Sequence, residues 1–375
     1  MIKAAIKYKN AAKLIPCIAE MGFYEIVAVT DKKDPESLPD IPGFCGEKWN
    51  TWDTVKAYKD GIIQKILVDE RVTYSTLINM VEELIAWDVD EDDILIICDG
   101  FEDGSDIVSW KQYSNIPYLE FHVSDHCNLN CKGCVHFSPL VKNKEFPVFE
   151  EVKRDFVALK KKIRRIGLIR ILGGEPFLNP ELDRYIKMVR ELYKNATISV
   201  VTNGLLLSQI SDELIKVLKD TDVTIDVSLY PPLQNNISNI VKPLIEKGVR
   251  INVSFPIKEF AYALDEQQGH ARFATQNNCT CPNLYKGKLY VCPIIAYIGF
   301  YNAYFGEEFD EEDGGIDIYD DTLTFTDIKK ELRKVRKICD HCLYISKEHE
   351  HTHEWEQTVT AQKEDYVLTG KNYGG

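Results

Sequence analysis

Apolar runs of strand length alternate with helical patterns in the first hundred residues of the chain. Three such runs lie at 23–30, 64–69 and 93–99. Between the last two, residues 74–87 place their apolar side chains on one helical face. Alternation of this kind predicts a parallel sheet with helices on its faces. We therefore predict a small α/β module over residues 1–112.

The alternation continues after a loop rich in Gly, Asp and Ser at 99–106, which marks a domain boundary. Five further apolar strands are predicted near Leu119, Leu168, Ile198, Val223 and Ile251. Charged helices, such as the one predicted at 150–163, separate these strands. Because crossovers between parallel strands are right-handed, the strands should curl into a partial barrel over residues 113–276.

Charge and composition exclude some classes of partner. The chain has 375 residues and a formal net charge of −14. Nucleic acids and anionic membranes select for clustered Lys and Arg, so neither is expected as a principal partner. No apolar run is long enough to span a bilayer, and the first residues lack a signal-peptide pattern, so a cytoplasmic location is predicted. Eleven cysteines in such a chain are more typical of metal ligands than of disulfides.

The first predicted barrel strand leads into a loop with three cysteines, Cys127, Cys131 and Cys134. Three thiolates at this spacing can bind three irons of a 4Fe-4S cubane, and the fourth iron is then left without a protein ligand. An iron with an open position can bind a further molecule. A structural zinc site completed by His126 or His136 is the alternative.

The pattern Cys127-x3-Cys131-x2-Cys134 after a strand resembles the signature of the radical S-adenosylmethionine (SAM) enzymes. Downstream, Gly173-Gly174-Glu175 resembles the GGE motif with which that family receives the methionine amine of SAM. Glycines there let the backbone approach a ligand closely.

Polar residues at the ends of later strands extend the resemblance. Thr202 and Asn203 follow one strand, where the family contacts the ribose or carboxylate of SAM. Ser228 and Ser254 follow the next two strands. Gly133 departs from the family, which often has an aromatic residue before its third cysteine, so adenine stacking at this position is not predicted.

The resemblance implies a fold, cofactors and a reaction. The fold would be a partial (β/α)6 barrel. SAM would chelate the open iron, and its reductive cleavage would give a 5′-deoxyadenosyl radical that takes a hydrogen atom from a substrate. The cysteines would ligate the cluster and Glu175 would orient SAM. An electron donor such as flavodoxin or ferredoxin would be a partner.

A second cysteine group lies at 277–345. It comprises Cys279, Cys281, Cys292, Cys339 and Cys342, with a glycine turn at Gly287. Gly287-x4-Cys292 followed by a distant CxxC resembles the Twitch domain of the SPASM/Twitch branch, which holds an auxiliary 4Fe-4S cluster. The resemblance implies Cys292, Cys339, Cys342 and either Cys279 or Cys281 as ligands, and we favour Cys281. A zinc ribbon is the alternative.

The cysteine left over from this set has two interpretations. It is either a thiol that donates a hydrogen atom to a product radical, as a radical epimerase requires, or a structural residue.

Two further segments are candidates for the substrate wall. The tail at 346–375 carries His349, His351, His353 and Trp355. Alternating histidines can bind metal, although a solvated tail also explains them, and Trp355 is predicted to anchor the tail over the barrel mouth. In the other segment, Arg272 is predicted to hold a carboxylate or phosphate, with a surface salt bridge as the alternative.

The first module resembles the Rossmann-like modules of sugar- and polysaccharide-modifying proteins. Its first strand-to-helix turn, at 7–12, has no glycine, so dinucleotide binding is not expected. We interpret it as a docking or substrate-presenting module. The predicted function is oxidation or epimerisation of a small polar substrate: a sugar, aminocyclitol or sugar nucleotide. Modification of a peptide or protein is the alternative.

Overall fold

The computed structural model describes residues 1–7, 11–31, 41, 44–98, 107–273, 279, 281–311, 313–346 and 351–369. The chain forms two compact units, Met1–Asn115 and Ile116–Gly375.

The first unit is a six-stranded sheet with order β3-β2-β1-β4-β5-β6. Its elements are β1 (Ile2–Lys7), α1 (Ala11–Glu20), β2 (Tyr24–Asp31), β3 (Glu47–Asn50), α2 (Thr51–Lys59), β4 (Lys65–Asp69), α3 (Tyr74–Ala86), β5 (Ile94–Ile97) and β6 (Ile107–Ser109). The first five strands pair in parallel, whereas β6 is antiparallel to β5.

Apolar residues on both faces of this sheet are buried. In β4, Ile66 and Val68 join one core cluster, while Leu67 joins another. Side chains alternate between the faces of a strand, so a continuous apolar run fits a sheet that is covered on both sides. The helix predicted at 74–87 is confirmed as α3. Residues 8–10 of the turn that follows β1 lie outside the described residues.

The second unit contains the partial α/β barrel. Its helices and strands are β7 (Asn115–Ser124), α4 (Phe149–Lys162), β8 (Arg165–Gly173), α5 (Leu182–Leu192), β9 (Thr197–Thr202), α6 (Asp212–Asp220), β10 (Thr224–Val227), α7 (Pro231–Gln234), α8 (Ile237–Glu246), β11 (Arg250–Val253), β12 (Glu259–Ala261), β13 (Leu264–Asp265), β14 (Asn283–Tyr285), β15 (Lys288–Tyr290), α9 (Pro293–Phe305), β16 (Ile316–Asp317), α10 (Phe325–Glu331), α11 (Leu343–Ser346), β17 (Thr352–Glu354) and β18 (Val367–Leu368).

The barrel strands follow the chain order β11-β10-β9-β8-β7 within an eight-stranded sheet. The pairs β8–β9, β9–β10 and β10–β11 are parallel, so their carboxyl ends meet at one edge. The helices pack on this sheet through apolar and aromatic side chains. For example, the ring of Phe121 in β7 lies 4.7 Å from the ring of Phe156 in α4.

The hairpin predicted to belong to a separate domain after residue 276 extends the barrel sheet. Leu284 in β14 pairs in parallel with Phe121 in β7, and β15 continues the sheet to β16. The hairpin turns at Gly287, whose φ of +74° favours glycine. Because β14 covers an edge of β7 that would otherwise expose unpaired backbone groups, the second cysteine group and the barrel share one compact unit. No helix in the described ranges is long and apolar enough to cross a membrane.

Candidate active site

The carboxyl ends of the barrel strands surround a cavity of about 270 Å³. Cys127, Cys131 and Cys134 form one part of its wall, and Gly173 and Gly174 form another. Parallel α/β folds bind ligands at this edge, because the loops that follow the strands leave polar groups available there. The two motifs, which lie far apart in the sequence, therefore face one another across a single cavity.

Gly173 and Gly174 bring the end of β8 directly against the cysteine loop. Gly174 N donates to Ser124 O at 2.7 Å, and Glu175 N donates to His126 O at 3.1 Å. A Cβ at Gly173 would collide with Ser124 O, and one at Gly174 would collide with His126 O. The φ of Gly173, +147°, also favours glycine. The sequence interpretation assigned this close approach to a ligand, but the structure shows that it is also required by the cysteine-loop backbone.

Glu175 is fully buried behind the cavity wall. Its carboxylate accepts hydrogen bonds from Thr202 Oγ1 at 2.8 Å, Asn203 N at 2.9 Å and Phe177 N at 3.1 Å. Burial raises the pKa of Glu175 to about 7, although these three donors act in the opposite direction. Glu175 therefore holds in place the end of β9, where Thr202 and Asn203 line the cavity.

A pH-dependent stability should follow from the raised pKa of Glu175. Its ordinary pKa is 4.5, so between about pH 4.5 and 7 the folded state keeps a proton that the unfolded state releases. Stability should fall as pH rises through this window, with a contribution of up to about 1.4 kcal/mol per pH unit. We expect Glu175→Gln to remove this slope in urea denaturation of the metal-free protein. An identical slope in both proteins would contradict the assignment.

Asn203 connects the end of β9 to the cysteine loop. It is buried, and its Nδ2 donates to Asn128 Oδ1 at 2.7 Å and lies 3.6 Å from Cys127 Sγ. Thr202, Asn203 and Ser228 line the cavity, as the sequence interpretation requires of SAM-contacting residues.

Ser254, by contrast, is not among the described residues that line the cavity. Its side chain is exposed and bonds to nearby backbone just after β11. Ser254 Oγ accepts a hydrogen bond from Leu229 N at 2.9 Å and donates one to Phe255 O at 2.8 Å. Its predicted contact with SAM is therefore not supported by its position. The side chain of Arg272 and residue His349 lie outside the described part of the chain.

The three cysteines of the loop occupy an environment that suits metal-bound thiolates. Burial raises the pKa of Cys127 to about 11 and also raises the pKa values of Cys131 and Cys134. A thiolate in such a place is costly unless a cation stabilises it. Leu129 N already donates to Cys127 Sγ at 3.3 Å. The donor set therefore fits a cluster in which each thiolate binds one iron.

The two histidines that would complete a zinc site at this loop have other partners. His136 lines the cavity, but its Nδ1 lies 2.9 Å from His122 Nε2, and His122 Nδ1 lies 2.8 Å from Asp125. His126 packs against Phe146, with ring centroids 5.0 Å apart.

A family model described as "Radical SAM superfamily" matches residues 121–246, which include the cysteine loop and the GGE motif. This region is a radical SAM domain. Such a domain holds a 4Fe-4S cluster and binds SAM, and the matched residues include Cys127, Cys131, Cys134 and the GGE glycines. The observed α/β partial barrel agrees with this match.

Curated relatives share part of their length with this chain. A GTP 3′,8-cyclase of Sulfurovum sp. (strain NBC37-1) is 32% identical over 127 residues, which cover 33% of this chain and 38% of that protein. A GTP 3′,8-cyclase of Sulfurimonas denitrificans is 35% identical over 157 residues, covering 38% of this chain and 48% of that protein. The chain thus matches less than half of either relative.

Solved structures of radical SAM enzymes are distantly similar to this chain. BtrN in complex with AdoMet and 2-DOIA is 17% identical, with a TM-score of 0.36, and the match covers 68% of this chain and 98% of BtrN. SuiB of Streptococcus suis bound to precursor peptide SuiA is 18% identical, with a TM-score of 0.30, and the match covers 48% of this chain and 37% of SuiB.

A polar group that the sequence interpretation missed lines the same cavity. Glu120 in β7 is buried, and Arg170 in β8 is half-buried. Arg170 Nη2 lies 3.3 Å from Asp226 Oδ2, and Nη1 lies 3.4 Å from Tyr118 Oη. Arg170 Nε is buried and has no hydrogen-bond partner among the described residues. The sequence did contain a signal for this group, because Arg170 is a charged residue inside an otherwise apolar strand. A buried charge of this kind needs polar partners.

Four of the five later cysteines come together in a second core. Cys339 and Cys342 are buried there, and Cys279 and Cys292 pack against it. The pKa of Cys292 is raised, first by burial and then by Cys342, Cys279 and Cys339, which therefore lie close to it. Burial also raises the pKa of Cys279 to about 11. Cys281, the ligand favoured from the sequence, is exposed.

Proposed function

We propose that this radical SAM enzyme oxidises or epimerises a small polar molecule: a sugar, aminocyclitol or sugar nucleotide. The observation that carries the proposal is the polar group in the cavity wall, where Glu120 and Arg170 supply charge and hydrogen-bonding groups and Asp226 holds Arg170 by an ion pair. A buried carboxylate and guanidinium are costly to desolvate, so a site that retains both suits a substrate with many hydroxyl or amino groups. The GTP 3′,8-cyclases among its relatives are named for GTP, which is also a small polar molecule.

Different residues of the cavity would bind the cluster, SAM and the substrate. Cys127, Cys131 and Cys134 would hold the cluster, and Gly173, Gly174, Thr202, Asn203 and Ser228 would bind SAM. When bound, this pair of cofactors supplies one-electron cleavage of a sulfonium and a carbon radical that takes hydrogen from a substrate. Glu120 and Arg170 would orient the substrate. A flavodoxin or ferredoxin is the proposed electron donor.

We further propose an auxiliary 4Fe-4S cluster bound by Cys279, Cys292, Cys339 and Cys342. Cys279 replaces Cys281 in this set because it packs with the other three, whereas Cys281 is exposed. Cys281 is then the remaining thiol, and it is not among the described residues that line the cavity. This favours oxidation over epimerisation. The substrate would lose a hydrogen atom and then a proton, and its remaining electron would pass to the auxiliary cluster.

Fractionated cell extract distinguishes this proposal from modification of a peptide or protein. The reduced, reconstituted enzyme would be incubated with SAM in D₂O, together with either the small-molecule or the peptide fraction. We expect the small-molecule fraction to stimulate 5′-deoxyadenosine formation. Oxidation gives a product lighter by two hydrogen atoms, and epimerisation gives one that carries a solvent deuterium. Stimulation by the peptide fraction alone would overturn the proposal.

Loss of the polar group should impair substrate use without affecting SAM. We expect Glu120→Gln and Arg170→Gln each to lower substrate-stimulated SAM cleavage at least about tenfold, since each change removes a charge-assisted hydrogen bond. SAM affinity, measured by equilibrium dialysis, should stay within about twofold of wild type. Lys187→Gln, on the surface of α5, serves as the control. A similar loss of SAM affinity in both cavity variants would contradict a role in substrate binding.

A further inference from the structure

The C-terminal strap, defined here as residues 351–358, packs against β12 and the cysteine loop. Its strand β17 pairs antiparallel with β12, with His353 opposite Phe260. Trp355 N then donates to Lys258 O at 2.8 Å. The indole ring of Trp355 stacks on Tyr230, with centroids 5.8 Å apart, and Tyr230 lines the cavity. Trp355 thus lies against a residue that lines the cavity, which agrees with its predicted role as the anchor of the tail over the barrel mouth.

The strap also binds the backbone of the cysteine loop through hydrogen bonds. Lys132 N donates to Glu356 O at 2.9 Å, and Thr358 N donates to Asn130 O at 2.8 Å. Gln357 Nε2 donates to Leu129 O at 2.9 Å. These contacts lie on either side of Cys131, so the strap fixes the loop at its second cysteine.

Gly133 makes room for the strap. A Cβ at this position would lie 2.6 Å from His353 Nε2 and 2.8 Å from Asp365 O, and its φ is +71°. Any larger side chain would therefore displace His353. The departure of Gly133 from the family pattern thus has a structural explanation: the strap occupies the space that a side chain would need.

Trp355 has an unused hydrogen-bond donor at this contact. Its Nε1 is buried and has no partner among the described residues. A buried N–H without an acceptor costs about 1–3 kcal/mol, so such groups normally have a partner in the complete protein. Trp355 lies two residues before Gln357, which forms an isolated β-bridge with Cys131, and its ring stacks on Tyr230, which lines the cavity together with Cys131.

We propose that Trp355 Nε1 donates a hydrogen bond to a sulfur at the Cys131 corner of the SAM-binding cluster, and that the strap thereby raises the reduction potential of this cluster. The inference rests on the radical SAM domain and not on the identity of the substrate. An N–H donor withdraws charge from sulfur and so favours the reduced state, which is the more negative one. Trp355 is then a positioning residue that acts through the cluster, and the seated strap makes the cluster easier to reduce.

The test compares wild type with Trp355→Phe, which keeps an aromatic ring but removes the N–H. Anaerobically reconstituted proteins would be titrated potentiometrically, and the reduced cluster would be followed by electron paramagnetic resonance. The signal that changes on addition of SAM identifies the cluster of interest. We expect a more negative midpoint potential in Trp355→Phe, with iron content unchanged. Trp87→Phe, an exposed position in the first unit, controls for the substitution.

A second variant keeps the test decisive if the ring is needed for folding. Trp355→Gln retains a side-chain N–H without the ring, and its potential should lie closer to wild type than that of Trp355→Phe. An unchanged potential in Trp355→Phe with full iron would overturn the proposal. So would loss of the cluster in both variants, because the strap would then only support the fold.

Discussion

Changing Cys127, Cys131 and Cys134 together to alanine is expected to abolish reductive SAM cleavage and to lower the iron content from about eight to about four per chain. The three thiols line one cavity with the GGE glycines, and alanine cannot ligate iron. Iron and acid-labile sulfide would be measured after anaerobic reconstitution, and SAM cleavage would be followed by 5′-deoxyadenosine formation with dithionite.

The matched control changes Cys17, Cys45 and Cys98 to alanine. These cysteines lie in the first unit and were not predicted as ligands, so iron and activity should both be preserved. SAM cleavage that survived in the first triple variant would contradict the site. About four irons in wild type, falling to none in that variant, would leave the second cysteine group without a cluster, and oxidation that uses it would have to be abandoned.

The second large effect should separate Cys279 from Cys281. Cys279→Ala is expected to remove the auxiliary cluster, with the loss of about four irons, while the SAM-binding cluster and the basal cleavage of SAM remain. Cys281→Ala should keep both clusters. The physical reason is position, since Cys279 packs against Cys339 and Cys342 and Cys281 is exposed. Substrate oxidation should fall by at least about a hundredfold in Cys279→Ala, because the product radical then lacks its electron acceptor.

Cys292→Ala provides the positive control for loss of this cluster, since either choice of fourth ligand requires Cys292. Full iron in Cys279→Ala and half iron in Cys281→Ala would return the assignment to Cys281. Bound zinc in wild type, released in Cys292→Ala, would instead favour a structural zinc ribbon and remove the proposed electron acceptor.

The sequence was most informative where chemistry depends on local spacing. Cys127, Cys131 and Cys134 lie within eight residues, so their spacing alone restricts which metal sites they can form. The apolar runs near Leu119, Leu168 and Ile198 correspond to β7, β8 and β9, because a buried parallel strand must be apolar on both faces. The partial barrel followed from the right-handedness of crossovers between parallel strands.

Some features of the site could not be predicted from the sequence, because they depend on contacts between distant segments. The sequence favoured Cys281 because it opens the hairpin that turns at Gly287, but burial distinguishes Cys279. Likewise, Glu120 and Arg170 are isolated charges in the sequence and form one polar group only when β7 and β8 pair.

The sequence by itself therefore determined the radical SAM motif and the alternating α/β elements, because these depend on residue type and short-range periodicity. Its resemblance to the Twitch domain implied Cys292, Cys339 and Cys342 as candidate ligands. Tertiary structure alone decided that the hairpin at 283–290 completes the barrel sheet, that Glu175 is buried behind the cavity wall and that the C-terminal strap bonds to the cysteine loop on either side of Cys131. These contacts join residues more than twenty positions apart. Their formation depends on packing of the whole unit, which no local pattern encodes.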